Sequence, residues 1–201
     1  MQSDKSRVRD RIFETACQLF YRHGIHAVRV DAIAAEAGSN KMSFYRSFVS
    51  KEALVAEYLR QQEREYWAWW DAAVAPYPED PSRQIEALFE AQLEIAKLSG
   101  CRGCALGNAA AELTDSEDEM STLVRAYKDK VRLRLRAMAR ATGASDAENL
   151  GDALMLLLDG GHFTRLIFPL GSGPIRASLS AVKALIGAYR RQGPCEPANG
   201  S

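Results

Sequence analysis

Apolar residues recur every three or four positions along most of the chain, which is the spacing of one face of an α-helix. The first such stripe, which Gly24 ends, comprises Val8, Ile12, Ala16, Leu19 and Phe20. The apolar/polar alternation typical of strands is nearly absent. The pattern therefore predicts an all-α protein of about nine helices.

Two short helices are predicted after the first, at about Val30–Ala37 and Lys41–Phe48. Gly38, Ser39 and Asn40 form the tight turn between them, and the Asn40 side chain is placed to cap the second helix. Two short helices joined by a tight glycine-containing turn are typical of a helix-turn-helix, whose second helix enters the DNA major groove.

Six further helical segments follow, of which the one at Cys101–Leu113 is short, and local start signals mark several of them. Asp80 before Pro81 is typical of a helix start, Ser50 opens the segment before it, and Ser116 with Glu119 and Ser145 with Glu148 are spaced as capping boxes. The predicted segments are about Lys51–Ala75, Pro81–Leu98, Cys101–Leu113, Ser116–Ala141, Asp146–Phe168 and Pro174–Arg191. We expect a loop over Pro169–Gly173 and disorder over 193–201. These boundaries predict three parts: residues 1–50, 51–192 and 193–201.

The composition is that of an ordinary globular protein, with 47% hydrophobic and 26% charged residues in 201. The net charge is zero, but residues 1–55 carry nine Lys and Arg against six Asp and Glu, and the remainder carries 17 against 20. The basic excess thus accompanies the helix-turn-helix, as phosphate contacts require. No apolar run reaches the roughly 18 residues of a membrane helix and no signal peptide is evident, so we expect a cytoplasmic protein that does not bind membranes.

A second basic segment lies in the predicted helix Ser116–Ala141, which carries seven Lys and Arg from Arg125 to Arg140. It resembles a nucleic-acid site, but its apolar stripe already accounts for the helix. A solvated outer face is therefore favoured over a second nucleic-acid site.

The helix-turn-helix region resembles the TetR family of one-component regulators. The matching residues are Arg11-Ile12, Ala16 with Leu19-Phe20, Gly24, Ile33-Ala34, Ala37-Gly38, Tyr45 with Phe48, and Lys51-Glu52 with Leu54. They occur in family order and spacing over about residues 7–55. The resemblance implies three N-terminal DNA-binding helices, followed by about six helices that form an effector-binding and dimerisation domain.

By this resemblance, the outer face of the second short helix contacts DNA. The implied DNA-binding residues are Arg29, Lys41, Met42, Ser43, Tyr45, Arg46 and Lys51. Tyr45 and Lys51 would hold phosphates, and the others would face base edges or nearby phosphates. Tyr45 as a packing residue and Met42 as a spacer are the alternatives. The family often has Thr-Thr where this chain has Val28-Arg29, so a capping hydroxyl is missing and Arg29 would supply only charge.

The resemblance also implies a repressor that a small molecule releases from a palindromic double-stranded operator. The candidate effector-binding residues are Trp67, Trp70, Phe89, Leu93, Cys104, Asn108, His162 and Phe163. Core packing is the alternative for the aromatic residues. A homodimer through residues about 146–192 is expected, because one helix-turn-helix reads too few base pairs. Two apolar stripes suit it: Leu150, Leu154, Leu157 and Gly161, and then Ile175, Leu179, Val182, Ile186 and Tyr189. In a monomer the same stripes would be core.

Cys101 and Cys104 frame the sequence Arg102-Gly103 at a predicted helix start, where a thiolate is favoured. One hypothesis makes the pair a redox or electrophile switch, and the alternative makes both cysteines small apolar fillers. A thiol-disulfide enzyme or a helical scaffold without DNA binding are the rival functions; the first lacks the strands expected near a thioredoxin-type motif. No catalytic constellation stands out, and we expect no enzyme activity, cofactor or metal.

Overall fold

The computed structural model describes residues 2–98, 100–113, 119–169 and 172–191. Within these ranges the regular structure consists of nine α-helices and one short 3-10 helix. The α-helices are α1 Gln2–His23, α2 Val30–Glu36, α3 Lys41–Ser47, α4 Lys51–Val74, α5 Pro81–Ala96, α6 Ala105–Glu112, α7 Glu119–Ala141, α8 Ala147–Thr164 and α9 Ser178–Arg191, and the 3-10 helix is Gly173–Ala177. None of the described helices is both long and apolar enough to cross a bilayer. The prediction of an all-α fold with about nine helices is confirmed.

Three helices begin where the local chemistry predicts. The Asn40 side chain accepts a hydrogen bond from the Ser43 backbone N–H at 2.9 Å and caps α3. Ser50 Oγ accepts from the Ala53 N–H at 3.1 Å at the start of α4. Asp80 accepts from the Arg83 N–H at 3.0 Å before the first residue of α5, a proline. Each cap satisfies a backbone N–H that the helix itself leaves unpaired.

The capping box predicted at Ser145 is wrong. Asp146 is the N-cap of α8 and accepts from the Asn149 N–H at 3.0 Å. Ser145 Oγ instead donates to the Tyr189 carbonyl oxygen on α9 at 2.8 Å. The Ser145 hydroxyl therefore bonds a carbonyl oxygen of α9 instead of capping α8. Ser116, the other predicted capping serine, lies outside the described residues.

Three of the predicted boundaries are also wrong. The segment expected to start a helix at Cys101 does so only at Ala105, because Gly100 and Gly103 take positive φ angles of 77° and 76°. Helix α8 ends at Thr164 rather than at residue 168. The last segment begins as the 3-10 helix and becomes α-helical only at Ser178. The expected loop 169–173 lies partly, and the tail 193–201 wholly, outside the described residues.

The chain forms two compact units. The first unit contains the residues up to Tyr66 together with Cys104–Tyr127, and the second contains Trp67–Gly103 together with the residues from Lys128 on. Helices α4 and α7 each contribute to both units. Each unit groups segments that pack together, even where they are distant in the sequence. The units therefore do not test the predicted domain boundaries at residues 50 and 192, which stay a prediction.

The first unit contains a three-helix bundle in which α1, α2 and α3 pack against one another. Its interior is built from the predicted stripe of α1 and from α2 and α3. The buried residues include Ile12, Ala16, Phe20, Ile33, Ala34, Phe44 and Phe48. Helices of seven residues are not stable alone in water, so this packing is what keeps α2 and α3 helical.

The second unit is built around α5, α8 and α9, which pack against one another. Residues of both predicted dimer stripes are buried inside this unit; they include Leu150, Leu154, Gly161, Ile175, Val182 and Ile186. These residues form the core of one chain. A surface for a second copy must therefore be sought on other faces of α8 and α9.

The basic residues of α7 form ion pairs with acidic residues of α8. Arg132 and Arg136 both bond Asp152, with Nη2–Oδ2 distances of 2.6 and 2.7 Å. These hydrogen bonds lower the pKa of the Asp152 carboxyl. Lys128 Nζ lies 2.5 Å from Asp159 Oδ1. The charge of these three α7 residues is thus compensated by α8, which disfavours a second nucleic-acid site there.

Two side chains of the second unit, the buried Gln92 and the partly buried His162, place polar atoms in its interior. Gln92 is 2% exposed, and its Nε2 donates to the Leu158 carbonyl oxygen at 2.6 Å. Gln92 Oε1 and His162 Nε2 are buried atoms without a hydrogen-bond partner among the described residues. Burial lowers the pKa of His162 to about 4, with Asp159 opposing and Lys128 assisting the shift. The imidazole is therefore neutral at pH 7.

This burial makes stability depend on pH. An unfolded histidine has a pKa near 6.5, so between about pH 4 and pH 6.5 the unfolded chain binds a proton that the folded chain does not. We expect His162 to lower the free energy of unfolding as the pH falls through this window, by up to about 1.4 kcal/mol per pH unit, and to have no such effect above it. Urea unfolding at pH 7 and pH 5 measures this. His162→Gln should lose less stability between the two pH values than the parent, and equal losses would contradict the assignment.

Candidate functional site

Helix α3 presents one apolar and one polar face. Phe44 is 0% and Phe48 is 5% exposed, as the sequence predicts. The rest of the helix surface carries Lys41, Met42 and Arg46, all exposed, and Tyr45, which is 50% exposed. The exposed residues are those that a helix lying in a DNA groove would use.

Aromatic contacts determine which face of α3 is buried. The Phe48 ring stacks on Phe13 of α1 with centroids 6.5 Å apart, and Phe44 lies 5.8 Å from Phe48. The Arg9 guanidinium covers the Phe48 ring at 4.7 Å. Since aromatic rings bury a large area each, rotating α3 would expose both rings. The polar face is therefore held outward by the packing beneath it.

The exposed side chains of α3 contact neighbouring side chains of α2 and α3. Arg46 Nη2 donates to Met42 Sδ at 2.9 Å, and Lys41 Nζ lies 3.3 Å from Asp31 Oδ1. The Tyr45 ring meets Phe44 edge-on at 5.3 Å. Tyr45 thus packs through its ring and still leaves half its surface accessible, which suits both functions predicted for it.

The start of α2 lacks the side-chain cap that the family pattern often provides. Val28 is 5% exposed, and the exposed Arg29 occupies the N-cap position without a side-chain capping hydrogen bond. Arg29 adds positive charge at the start of α2 but does not replace the hydroxyl. Ser43, partly buried, donates its backbone N–H to Asn40.

Lys51 has a different environment from the other predicted phosphate ligands. Its ammonium donates to the Ile25 carbonyl oxygen at 2.6 Å and lies 6.0 Å from the centre of the Phe20 ring. Burial lowers its pKa, and the Glu52 and Glu112 carboxylates oppose that shift. In this structure Lys51 holds the turn between α1 and α2, and a phosphate contact by this residue stays a prediction.

Of the predicted effector residues, Trp67, Trp70, Phe89, Leu93, His162 and Phe163 belong to the second unit. Trp70 and Phe89 are 0% exposed, and Trp67 lies 5.6 Å from Trp70. The Arg134 guanidinium lies over both indoles, at 5.3 and 5.2 Å from their centroids. The tryptophan pair therefore surrounds a cation of the chain itself, through contacts that the sequence analysis missed.

Phe163 belongs to an exposed apolar stripe on α8 and the turn after it. Leu156 is 76%, Phe163 61% and Ile167 62% exposed, and Gly160 between them is exposed too. Leu156, Gly160 and Phe163 are four and three residues apart, so they share one face of α8, and Ile167 lies in the turn that follows. A groove of about 200 Å³ lies beside the stripe; its lining includes Leu156, Gly160, Thr164, Pro174, Ala177 and Ala181. This face differs from the two stripes that form the core.

Cys104 and Asn108 belong to the first unit. Cys104 is the N-cap of α6, where its Sγ accepts from the Gly107 N–H at 3.4 Å and lies 3.5 Å from the Tyr127 hydroxyl. Tyr127 in turn meets Tyr66 edge-on at 5.1 Å. Cys101 and Cys104 are free thiols. The described residues contain no group of His, Cys, Asp and Glu able to hold a metal ion.

Comparison with known proteins agrees with this geometry. Residues 12–58 match the sequence model of the family described as "Bacterial regulatory proteins, tetR family". The chain is 31% identical over 133 residues to the HTH-type transcriptional repressor DhaR of Mycobacterium sp. (strain GP1), covering 64% of each protein. It is 33% identical over 109 residues to the HTH-type transcriptional repressor SCO4008 of Streptomyces coelicolor, covering 53% of this chain and 55% of that relative. The match thus spans less than two thirds of either relative.

Similarity to solved structures extends over nearly the whole chain. The crystal structure of SCO4454, a TetR-family transcriptional regulator from Streptomyces coelicolor, superimposes with a TM-score of 0.85 at 28% identity. It covers 92% of this chain and 90% of that one. The helix-turn-helix match, the two relatives and this shared fold all lead to one assignment. Residues 12–58 carry the helix-turn-helix of the tetR family of bacterial regulatory proteins, and the whole chain has the fold of a TetR-family regulator.

Proposed function

We propose that this protein binds a specific DNA sequence through α3 and represses transcription. The observation that carries the proposal is the division of α3 into a buried aromatic face and an exposed face with Lys41, Tyr45 and Arg46. Two similar proteins bear the name transcriptional repressor, which supports repression rather than activation. The protein would act in the cytoplasm, where its DNA is, without catalysis, cofactor or metal.

Each predicted contact residue has a role in this proposal. Arg46 and Lys41 reach base edges or phosphates, and Met42 and Ser43 lie between them on the groove side. The Tyr45 hydroxyl and the Arg29 guanidinium contact the phosphate backbone on either side of α3. Lys51 contributes charge from the base of the bundle while it holds the α1–α2 turn.

The operator is a palindrome in this proposal, because the protein binds it as a homodimer. Two bundles of α1, α2 and α3, here called heads, are related by two-fold symmetry and read half-sites about one helical turn apart. Within residues 146–192 the support comes from the exposed stripe of Leu156, Gly160, Phe163 and Ile167. Monomeric proteins rarely leave a continuous apolar stripe on a regular helix in water. Gly160 lets a partner helix approach closely, since an added Cβ there would meet nothing within 4 Å in the same chain.

A small-molecule effector would bind within the second unit and weaken operator binding. The buried His162 Nε2 and Gln92 Oε1 support this, because buried polar atoms without a partner are costly and are suited to pairing with a ligand. A neutral imidazole favours an uncharged or weakly polar effector over an anion. Phe89, Leu93 and Phe163 would contribute apolar contacts. Trp67 and Trp70 would act indirectly, through the Arg134 guanidinium that lies over their rings. Thermodynamic linkage requires that the effector lowers the affinity for the operator by the same factor by which the operator lowers the affinity for the effector.

A second route of release is oxidation or alkylation of Cys104, with Cys101 as its neighbour in sequence. Adding atoms to Cys104 Sγ would break its cap on α6 and press on the buried Tyr127. Burial, together with the nearby Glu65 and Glu57, raises the pKa of Cys17 to about 12, so this third thiol stays protonated and unreactive. Cys104 is therefore the thiol whose modification would affect the first unit.

Arg46→Ala tests the DNA contact. After an operator is selected from random duplexes, we expect this variant to bind it roughly tenfold or more weakly, since a base or phosphate contact of arginine is lost. Fluorescence anisotropy across salt concentrations measures affinity and slope, and circular dichroism checks folding. Arg64→Ala, which removes another exposed arginine, from α4, is the matched control. Affinity for Arg46→Ala equal to that of the control would show that α3 does not contact the operator as proposed.

Leu156→Glu tests the dimer surface. A carboxylate buried between two copies without a partner is costly, so we expect the dimer dissociation constant to rise by at least about tenfold. Analytical ultracentrifugation over a dilution series measures it. Leu133→Glu makes the same change at a leucine of α7 that is 63% exposed and should leave the dimer intact. A Leu156→Glu protein as dimeric as the control would place the interface elsewhere.

The thiol route is tested by alkylation with N-ethylmaleimide. We expect treated parent protein to lose roughly tenfold or more of its operator affinity, a typical coupling factor between sites, because Cys104 no longer caps α6. Cys104→Ser should be unaffected by the reagent, whereas Cys101→Ser should respond like the parent. Mass spectrometry of the labelled peptides identifies the modified thiol. Alkylation of Cys104 without any change in affinity would eliminate this route.

A further inference from the structure

The turn between α1 and α2 is held by a side chain from 86 residues further along the chain. Glu112, the last residue of α6, accepts a hydrogen bond from the His26 backbone N–H at 2.8 Å through Oε2. The His26 ring nitrogen Nδ1 lies 3.4 Å from the same oxygen. Both residues belong to the first unit. The Glu112 carboxylate thus binds the backbone of the turn in addition to contacting the His26 side chain.

Gly24 makes this approach possible. It adopts a φ of 89°, and a Cβ added there would lie 2.8 Å from Glu112 Oε1. A side chain at this position would therefore displace the carboxylate, in addition to straining the backbone. The contact requires both the conformation and the small size of this glycine.

Lys51 holds the same turn from the other side. Its ammonium donates to the Ile25 carbonyl oxygen at 2.6 Å, one residue before the N–H that Glu112 accepts. Glu112 is also among the charges that act on Lys51. Side chains from α6 and from the start of α4 thus bind adjacent backbone groups of one turn.

Helix α6 is itself held at both ends. Cys104 caps its first turn, and the carbonyl oxygen of Leu113, just after its last residue, accepts from Ser121 Oγ at 2.7 Å. Leu106 and Ala109 are buried. The helix that presents Glu112 is therefore fixed within the first unit, and the carboxylate is presented from a rigid support.

We propose that Glu112 is a positioning residue for operator binding: by docking the α1–α2 turn on α6, it determines the direction in which α3 is presented. The reason is geometric. Because α1, α2 and α3 pack pairwise, anchoring the turn anchors all three helices, including the exposed face of α3. This inference rests on the proposed function, since it concerns how well two heads match two half-sites.

Three substitutions at Glu112 distinguish the effect of side-chain length from the effect of charge. Glu112→Gln keeps an acceptor oxygen at the same reach, Glu112→Asp keeps the charge but shortens the side chain by one methylene, and Glu112→Ala removes both. Glu119→Ala is the matched control, because it removes the carboxylate of an exposed ion pair with Arg60 in the same unit. The proposal expects Gln to behave like the parent, and Asp and Ala to be impaired.

The measurement compares a duplex with both half-sites of the selected operator and a duplex with one. A misdirected head still binds a single half-site but no longer matches the spacing of two. We expect Glu112→Ala and Glu112→Asp to bind the full operator at least about fivefold more weakly, the lower end of typical coupling factors, with half-site affinity changed less than about twofold. Glu112→Gln and Glu119→Ala should bind both duplexes like the parent.

The outcomes are distinguishable. If the parent protein prefers no duplex sequence, the proposed function fails. If the parent binds its operator and Glu112→Ala or Glu112→Asp binds the full operator equally well, Glu112 does not position the head. An equal loss on both duplexes with a lower thermal midpoint overturns the proposal in favour of a purely structural contact. Should Glu112→Ala not fold, Glu112→Asp and Glu112→Gln decide: impairment of Gln while Asp binds like the parent overturns the proposal, because the charge of residue 112 and not its reach would then matter.

Discussion

The burial of Phe44 and Phe48 beneath α3 is the interaction on which the rest of the molecule depends. A seven-residue helix has too few internal hydrogen bonds to persist in water, so α3 exists because its aromatic face packs on α1. The same packing determines which side chains remain outside. The proposed DNA contact of Arg46 is therefore a consequence of the core and not a separate feature added to the surface.

Electrostatics distinguishes the α3 surface from the other basic segment of the chain. On α7, Lys128, Arg132 and Arg136 are matched by the carboxylates of Asp159 and Asp152 on the neighbouring helix. Those cations hold two helices together and are compensated where they stand. On α3, by contrast, Arg46 contacts a neutral thioether and Lys41 pairs with an exposed aspartate. A similar density of basic residues thus has different physical consequences in the two places.

Helix α6 lies between the Cys104 thiol and the turn that connects α1 and α2. Its first turn is capped by Cys104, and its last residue is Glu112, which binds the turn of the three-helix bundle. Eight helical residues span about 12 Å. Loss of the Cys104 cap at the first turn would therefore disturb the same short helix that carries the Glu112 carboxylate at its other end. Modification of the Cys104 thiol and positioning of the head would therefore both act through α6. Substitution of Cys104 or of Glu112 alters one of these two contacts at a time.

The sequence by itself determined the helices, their order and most of their starts, because helix periodicity and caps such as Asn40 and Asp80 act over three or four residues. It also identified Phe44, Phe48 and the exposed face of α3, since a short amphipathic helix has only one apolar side. Only the tertiary structure decided how equally spaced stripes were used: Leu154 and Val182 became core, while Leu156 and Phe163 stayed exposed. Contacts such as Glu112 with His26 or Ser145 with Tyr189 join residues 86 and 44 positions apart. No local pattern encodes them, because they form only when packing has already brought the partners together.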